Sequence, residues 1–301
     1  MKTIEEAIQA ASRCLLEVGV ENPRLESEFL VAACLKVPRT QLILNRHQRL
    51  TAEKIRAVQN WLNERQQRKP LAYVSGEQPF RDLCLKVSPA VLIPRPETEL
   101  LVEQACRMLD RLPQPAVVVD VGTGSGAIAI SLSAHSNVVR VIAIDISKEA
   151  LRIARTNGKE NRRVSVEWLE GDLLTPLLKQ PACADLIVAN LPYVRSEEMI
   201  TLEPELHWEP AIALDGGKDG LRFIEPCARQ AAEVLRSGGY LLLEIGADQA
   251  LPVAALLQRQ SHWTDVQVFC DFAGLPRIVQ ARRSAAKTLA DPPGRSGGKG
   301  I

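Results

Sequence analysis

Several residue types are scarce in this chain of 301 residues, and each scarcity excludes a class of protein. Aromatic residues make up only 4% of the sequence. No apolar run approaches the roughly 20 residues of a membrane span, which argues against an integral membrane protein. The seven cysteines are odd in number and form no C-x-x-C pair, so we predict neither a disulfide framework nor a metal site. The N-terminus has no basic-then-apolar signal pattern, and we expect a cytoplasmic protein with reduced thiols.

The composition is that of a globular protein, with 46% apolar and 24% charged residues. A chain of this length usually forms more than one domain. The net charge of +1 conceals a segregation, because residues 1–95 carry 15 basic and 10 acidic side chains whereas residues 96–281 carry 17 and 25. The basic front either meets an anionic partner or is a solvated helical face.

Residues 1–72 are predicted to form a small helical domain. Thr3 and Glu6 form a capping box that opens a first helix, which Gly19 can end. A further helix is expected between Thr51 and about Arg68. The helix that follows Pro23 is predicted to share one apolar face among Leu25, Phe29, Ala32 and Ala33. Because this domain has no catalytic constellation, we expect it to recognise the substrate.

Residues 73–92 are predicted to form a β-hairpin linker, and residues 93–283 an α/β domain. After the loop Leu92–Glu99 and a helix, β-rich runs alternate with helices, which predicts a parallel, doubly wound sheet. The expected strands are 116–121, 139–144, 164–168, 184–189 and 240–244, with two late strands near 264–269 and 276–281. Residues 284–301 are rich in proline and glycine and are predicted to be a disordered tail.

A glycine-rich loop follows the first predicted strand of the sheet. Glycines at such a turn let the backbone approach a ligand closely. The next strand ends in Asp145, 25 positions after Asp120, where a carboxylate can accept both hydroxyls of a ribose. A dinucleotide site would have G-x-G-x-x-G, whereas this loop reads Gly122-Thr123-Gly124-Ser125-Gly126 after Asp120. The D-x-G-x-G-x-G form resembles the motif of class I S-adenosylmethionine-dependent methyltransferases.

Two acidic residues near this loop leave alternatives open. Asp120 either serves the ammonium group of S-adenosylmethionine or ties down the loop. Asp172, with Leu173 beside it, follows the third strand, where this fold usually touches the adenine. It either accepts a hydrogen bond from the adenine amino group or caps a helix over residues 173–178.

The fourth strand ends in Asn190-Leu191-Pro192-Tyr193, at the edge where open α/β sheets bind ligands. This turn suits a planar NH₂ group, whose delocalised lone pair makes it a poor nucleophile. The Asn190 side-chain oxygen and the Leu191 carbonyl can each accept one N–H and hold the nitrogen in line with a methyl donor. Tyr193 offers a flat face over the substrate. We expect direct methyl transfer without a metal.

Together these motifs resemble the peptide chain release factor glutamine N5-methyltransferases, the PrmC/HemK family. The resemblance spans roughly residues 5–283 and includes Leu92–Glu99, Trp208-Glu209-Pro210, Ala213–Gly217 and Leu243–Gly246. It implies a class I methyltransferase, Rossmann-like sheet with a helical N-terminal domain that grips the protein substrate, the glutamine of a Gly-Gly-Gln loop in class 1 release factors.

The resemblance also implies the site residues. S-adenosylmethionine would contact 122–126, Asp145, Asp172, Leu173 and Asn190, and the glutamine would contact residues 190–193. Leu191 departs from the family's usual N-P-P-Y turn, so one fixed φ is lost. N-L-P-Y is also typical of ribosomal RNA adenine methyltransferases, the alternative function. Their helical domain follows the catalytic one, however, and a charge of +1 offers few phosphate contacts. We therefore expect no nucleic-acid substrate and no membrane.

Overall fold

The computed structural model describes residues 2–112, 115–162 and 166–284, so the predicted tail after Ser284 lies outside the described residues. The N-cap of the first helix is confirmed, because the Thr3 hydroxyl accepts from the Glu6 N–H at 3.3 Å. The other half of the predicted capping box differs, because the Glu6 carboxylate accepts from the Lys2 N–H at 2.7 Å and not from that of Thr3. Gly19 takes φ +75° just after the helix end, also as predicted. The first part of the chain folds into the helices Ile4–Glu17 (α1), Pro23–Leu35 (α2), Arg39–Leu44 (α3), Ala52–Gln66 (α4) and Leu71–Ser75 (α5).

The predicted apolar face of α2 is only partly confirmed, because Ala32 is buried in the core and Ala33 is exposed. Leu25 and Phe29 are 40% and 48% exposed, whereas Leu30 and Val31 are fully buried. Helix α2 packs against both α1 and α4, so the positions of these neighbours decide which side is covered. Ser27 is tolerated on the buried side because its hydroxyl donates to the Pro23 carbonyl at 2.6 Å.

A two-stranded antiparallel hairpin, Glu77–Phe80 (β1) and Leu83–Lys86 (β2), leads into the second part of the chain. The remaining helices are Pro96–Leu109 (α6), Ala127–Leu132 (α7), Lys148–Glu160 (α8), Ile224–Val234 (α9) and Ala250–Gln258 (α10). The remaining strands are Ala116–Val121 (β3), Val138–Asp145 (β4), Val166–Glu170 (β5), Ala184–Asn190 (β6), Leu235–Glu244 (β7), Trp263–Cys270 (β8) and Pro276–Arg283 (β9).

These seven strands form one sheet in the order β5-β4-β3-β6-β7-β9-β8. The first five strands in this order are parallel, and β9 runs antiparallel to β7 and to β8. Buried side chains of β3 alternate between the two faces, with Val118 in one core and Val119 and Val121 in the other. The doubly wound prediction is confirmed. Because the strand order reverses between β3 and β6, a ligand crevice is expected where these two strands end.

Three further local predictions differ from the structure. The strand predicted at 240–244 begins five residues earlier, at Leu235. The first residues of the strand predicted at 164–168 lie outside the described ranges, which omit 163–165. The observed strand covers Val166–Glu170 and so extends two residues beyond the predicted end. The helix predicted over 173–178 is only a 3-10 turn, Thr175–Leu177, and no side chain caps it. Leu173 has φ +51°, which a helix cannot accommodate. Asp172 is therefore not the N-cap that was considered.

Candidate active site

A cavity of about 490 Å³ opens where β3, β4, β5 and β6 end. Most of the predicted site residues line it, although they come from four separate strand ends. They are Gly122, Thr123, Gly124, Ser125, Asp145, Asp172, Leu173, Asn190, Leu191 and Pro192. The topology brings them together because parallel strands end at the same edge of the sheet.

Gly126 and Tyr193 are not among the lining residues. A Cβ on Gly126 would lie 2.9 Å from Ile130 and 3.1 Å from Trp168, so this glycine allows the loop to pack onto its own helix. Tyr193 packs against the main core, and burial raises its pKa to about 12. Its carbonyl accepts from the Gln249 amide at 2.9 Å. Both residues therefore lie outside the cavity lining.

Two glycines of the loop adopt left-handed backbone conformations, and backbone hydrogen bonds hold the loop in place. Gly122 has φ +72° and Gly124 has φ +54°, a region that disfavours other residues. The N–H groups of Gly122 and Thr123 donate to the Ile144 carbonyl at 2.9 and 3.0 Å. A Cβ on Gly124 would meet no atom closer than 4.0 Å, so it would project towards the open cavity.

Asp120 ties down this loop, which is one of its two predicted roles. It is fully buried and does not line the cavity. One carboxylate oxygen accepts from the Thr123 hydroxyl at 2.6 Å and from the Ala129 N–H at 3.0 Å. Burial raises the pKa of this carboxyl to about 7, opposed by these two hydrogen bonds.

Asp145 lies at the cavity wall with its carboxylate already oriented. One oxygen accepts from the Gly124 N–H at 2.8 Å and the other from the Ser147 N–H at 2.8 Å. Each oxygen keeps a second lone pair for a ligand hydroxyl. Burial raises the pKa of this carboxyl, opposed by the Ser147 and Gly124 hydrogen bonds.

The charges of the cavity fit S-adenosylmethionine better than a dinucleotide. The charged lining residues are three acids, Asp145, Asp172 and Asp215, and one base, Arg222. A net negative wall attracts a ligand with a sulfonium and an ammonium group and repels a pyrophosphate. Ile146, the residue after Asp145, is 54% exposed. Together with Leu173 it gives the cavity an apolar surface against which an adenine base can pack.

Asn190 presents its side-chain oxygen to the cavity because both hydrogens of its amide are used elsewhere. The nitrogen Nδ2 donates to the Thr98 hydroxyl at 3.1 Å and to Glu244 Oε1 at 2.8 Å. Within residues 2–112, 115–162 and 166–284, no protein group donates to Oδ1. The amide is thus oriented with a free acceptor, as binding of an NH₂ group requires.

Leu191 stands where the family's N-P-P-Y turn has its first proline, and its packing holds the turn in place. Its side chain is only 4% exposed and belongs to the main core. A methyl carbon of Leu191 lies 3.2 Å from where a Cβ of Gly122 would stand, so the turn and the glycine loop are in contact. The turn is therefore fixed by burial and by the Gln249 hydrogen bond to Tyr193.

The segment Leu92–Glu99 forms a wall of the cavity and connects it to distant elements. The Ile93 N–H donates to Glu209 at 3.0 Å, and Arg95 forms an ion pair with the same carboxylate. Thr98 supports Asn190, and Glu99 accepts from the Arg81 N–H in the hairpin turn at 2.9 Å. This motif is therefore structural support for the site.

Sequence reasoning assigned no role to several of these residues. Thr98, Glu209 and Glu244 all lie inside the family motifs quoted above, and this membership was the only indication in the sequence that they support the site. The cavity is also lined by Ala90, Val91 and residues 210–213. Nothing in the local pattern indicates that these segments meet the glycine loop, because the contacts are long-range.

The helical front is joined to the second part of the chain by an ion cluster. Arg65 and Arg68 of the front both contact Glu205 at 2.6 Å, and Glu26 also pairs with Arg65. The Arg65 side chain is only 4% exposed. This cluster fixes where the front stands relative to the cavity.

Neither a metal-binding cluster nor a membrane-spanning helix is present in the described residues. No group of three or more His, Cys, Asp or Glu side chains there is placed to hold a metal ion. None of the helices in the same ranges is long and apolar enough to cross a membrane.

Comparison with known proteins gives consistent matches. Residues 6–76 match the PrmC N-terminal domain family, and residues 118–207 match a methyltransferase domain family. A release factor glutamine methyltransferase of Geobacter sulfurreducens is 38% identical over 281 residues, covering 93% of this chain and 96% of that protein. One of the same name from Moorella thermoacetica is 39% identical over 285 residues, covering 93% and 99%.

Among solved structures, the hMettl16 catalytic domain in complex with the MAT2A 3'UTR hairpin 6 has a TM-score of 0.52 at 15% identity. The match covers 70% of this chain and 78% of that one. At this level of identity the likeness concerns the fold alone, which is that of a methyltransferase.

Proposed function

The chain belongs to the release factor glutamine methyltransferase family, and from this premise we propose its reaction, substrate and site. The enzyme transfers a methyl group from S-adenosylmethionine to the side-chain nitrogen N5 of the glutamine in the Gly-Gly-Gln motif of class 1 release factors. The observation that carries this proposal is the Asn190 amide, whose free oxygen faces the cavity while Thr98 and Glu244 occupy its two N–H groups.

The cofactor is held by the glycine loop and the acidic wall. Backbone atoms of residues 122–126 approach it, Asp145 accepts from its ribose, and Asp172 and Leu173 meet its base. S-adenosylmethionine supplies an electrophilic methyl group on a sulfonium. The buried Asp120 keeps the loop in place from outside the cavity lining.

The substrate glutamine is held by the turn after β6. Asn190 Oδ1 and the Leu191 carbonyl each accept one N–H of the carboxamide, which orients its nitrogen. These acceptors also stabilise the positive charge that develops on the nitrogen during attack. Pro192 and Tyr193 complete the turn, with Tyr193 acting from behind it. The methylated amide releases its extra proton after attack, so the reaction needs no base on the protein.

The division of labour follows the chain. Residues 1–72 recognise the release factor, residues 73–92 link the parts, and residues 93–283 carry out methyl transfer. Because release factors act in translation, the enzyme works in the cytoplasm. Its substrate is a protein, and it uses neither a nucleic acid nor a membrane.

Mass spectrometry of the labelled product tests this proposal. The enzyme is incubated with isotopically labelled S-adenosylmethionine and either a class 1 release factor or ribosomal RNA. We expect one labelled methyl group on the Gly-Gly-Gln glutamine and none on RNA. A release factor carrying Gly-Gly-Glu is the matched control and should remain unlabelled. Label on RNA adenine instead of protein would establish the alternative function.

A further inference from the structure

A buried carboxyl group lies directly behind the substrate turn. Glu244 ends β7 and stands opposite Asn190 in the sheet. It is 2% exposed and does not line the cavity. Its Oε1 accepts from Asn190 Nδ2 at 2.8 Å, and within the part of the chain that the structure describes its Oε2 has no hydrogen-bond partner.

We propose that Glu244 is a positioning residue that, together with Thr98, sets which way the Asn190 amide faces. A carboxylate can only accept hydrogen bonds, so it selects the amide orientation that turns Nδ2 inward and Oδ1 towards the cavity. The flipped orientation would bring two oxygens together at the 2.8 Å contact. The inference rests on the proposed function, because Oδ1 matters only if it receives the substrate carboxamide.

Thr98 cannot make this selection by itself. Its hydroxyl accepts from Asn190 Nδ2 at 3.1 Å and directs its own proton to the Glu244 carboxylate. Without a carboxylate to take that proton, the hydroxyl could donate to Oδ1 after a flip. A protonated Glu244 would have the same ambiguity, since it could donate as well. The selection therefore depends on the ionised form of Glu244.

The surroundings of Glu244 make that ionised form costly. Burial, and then the charge of Glu97, raise the pKa of its carboxyl from about 4.5 to about 7, although Arg277 and the hydrogen bonds from Thr98 and Asn190 oppose the rise. Tyr193, a neutral phenol, is the other titratable group that faces it. Because the folded protein binds this proton more tightly than the unfolded chain, stability falls as the pH rises from about 4.5 to about 7.

The variant Glu244→Gln tests the proposal, because the ionised carboxylate that orients Asn190 also destabilises the folded protein. Gln can both accept and donate, so the amide orientation is no longer selected. At about pH 8 we expect kcat for the release factor to fall by about 10- to 100-fold, as for a misplaced orienting group, with KM little changed. The thermal midpoint should rise at the same pH, because a buried charge is removed. The acid limb of the kcat profile near neutral pH should disappear.

Neighbouring variants separate positioning from packing. Glu97→Gln should move the acid limb to lower pH, because the charge of Glu97 raises the pKa of Glu244. Thr98→Val should lower kcat, and Thr98→Ser should restore it. Thr98→Val also tests the contact if Glu244→Gln does not fold. A Glu244→Gln enzyme with unchanged kcat and acid limb, or with kcat and thermal midpoint both lowered, would overturn the proposal.

An NMR titration makes the test independent of the substrate. The side-chain ¹⁵N amide signals of Asn190, identified by their loss in Asn190→Ala, should shift with pH near 7 in the wild type and not in Glu244→Gln. Signals that do not respond in the wild type would refute the coupling. If the wild type failed to methylate a release factor but the signals titrated, the proposed function would fail and the coupling would stand.

Discussion

Gly216→Ala is the sharpest test of how the substrate turn is supported. A Cβ on Gly216 would lie 2.7 Å from the Pro192 carbonyl oxygen and 2.7 Å from Tyr193 Cα. Both contacts are with backbone atoms, which cannot rotate away as a side chain can. Gly216 is also hydrogen-bonded to the residue that follows the turn, since its N–H donates to the Val194 carbonyl at 2.7 Å. The added methyl group must therefore push the turn itself.

The size of the effect follows from these distances. Atoms at 2.7 Å must separate by roughly 0.7 Å to reach ordinary contact. Overpacking of this kind costs about 1–3 kcal/mol of unfolding free energy. Because a displacement of about 1 Å at a positioning group can cost about 100-fold, we expect kcat to fall by about 10- to 30-fold.

Initial rates on a release factor and urea denaturation measure the two effects. Gly238→Ala is the control, because Gly238 has φ +85° and only the flexible end of Arg282 near it, at 3.5 Å. It lies towards the opposite end of β7 from the site. Its left-handed backbone should cost about 1–2 kcal/mol of stability and leave kcat unchanged. Wild-type kcat and stability in Gly216→Ala would refute the close-packing argument.

Three further substitutions test the cofactor loop, the turn and the contact between the two parts of the chain. Gly124→Val should abolish binding of S-adenosylmethionine in a calorimetric titration, because the side chain enters the cavity from a backbone with φ +54°; unchanged affinity would contradict the placement of the loop. Asn190→Ala should keep most of the cofactor affinity and lower kcat by about 100- to 1000-fold, as for other oriented polar groups at a reacting centre; a rate equal to the wild type would remove its proposed role. Glu205→Gln should destabilise the protein to urea by about 1–3 kcal/mol, because Arg65 is buried and keeps only Glu26 as a carboxylate partner. It should also raise KM for the release factor more than it changes cofactor affinity, and equal changes in both would argue against a link between the helical front and substrate recognition.

The order of strands, loops and helices could be predicted from the sequence because each depends on neighbouring residues. Apolar runs of β-branched residues form strands, and the glycines at 122 and 124 permit the positive φ angles of the loop. Parallel strands end at one edge, so the sequence also placed the glycine loop, Asp145 and Asn190 at a common site. These inferences needed only local chemistry and one topological rule.

Tertiary structure alone decided which faces are buried and which side chains meet. The covered side of α2 depends on where α1 and α4 lie, so the apolar pattern of α2 alone wrongly predicted that Leu25 and Phe29 are buried. Thr98 and Glu244 are 92 and 54 residues from Asn190, yet together they fix the direction of its amide. Such convergence arises when the packing of a helix and two strands is complete, because a hydrogen bond between distant residues depends on their positions in space and leaves no periodic trace along the chain.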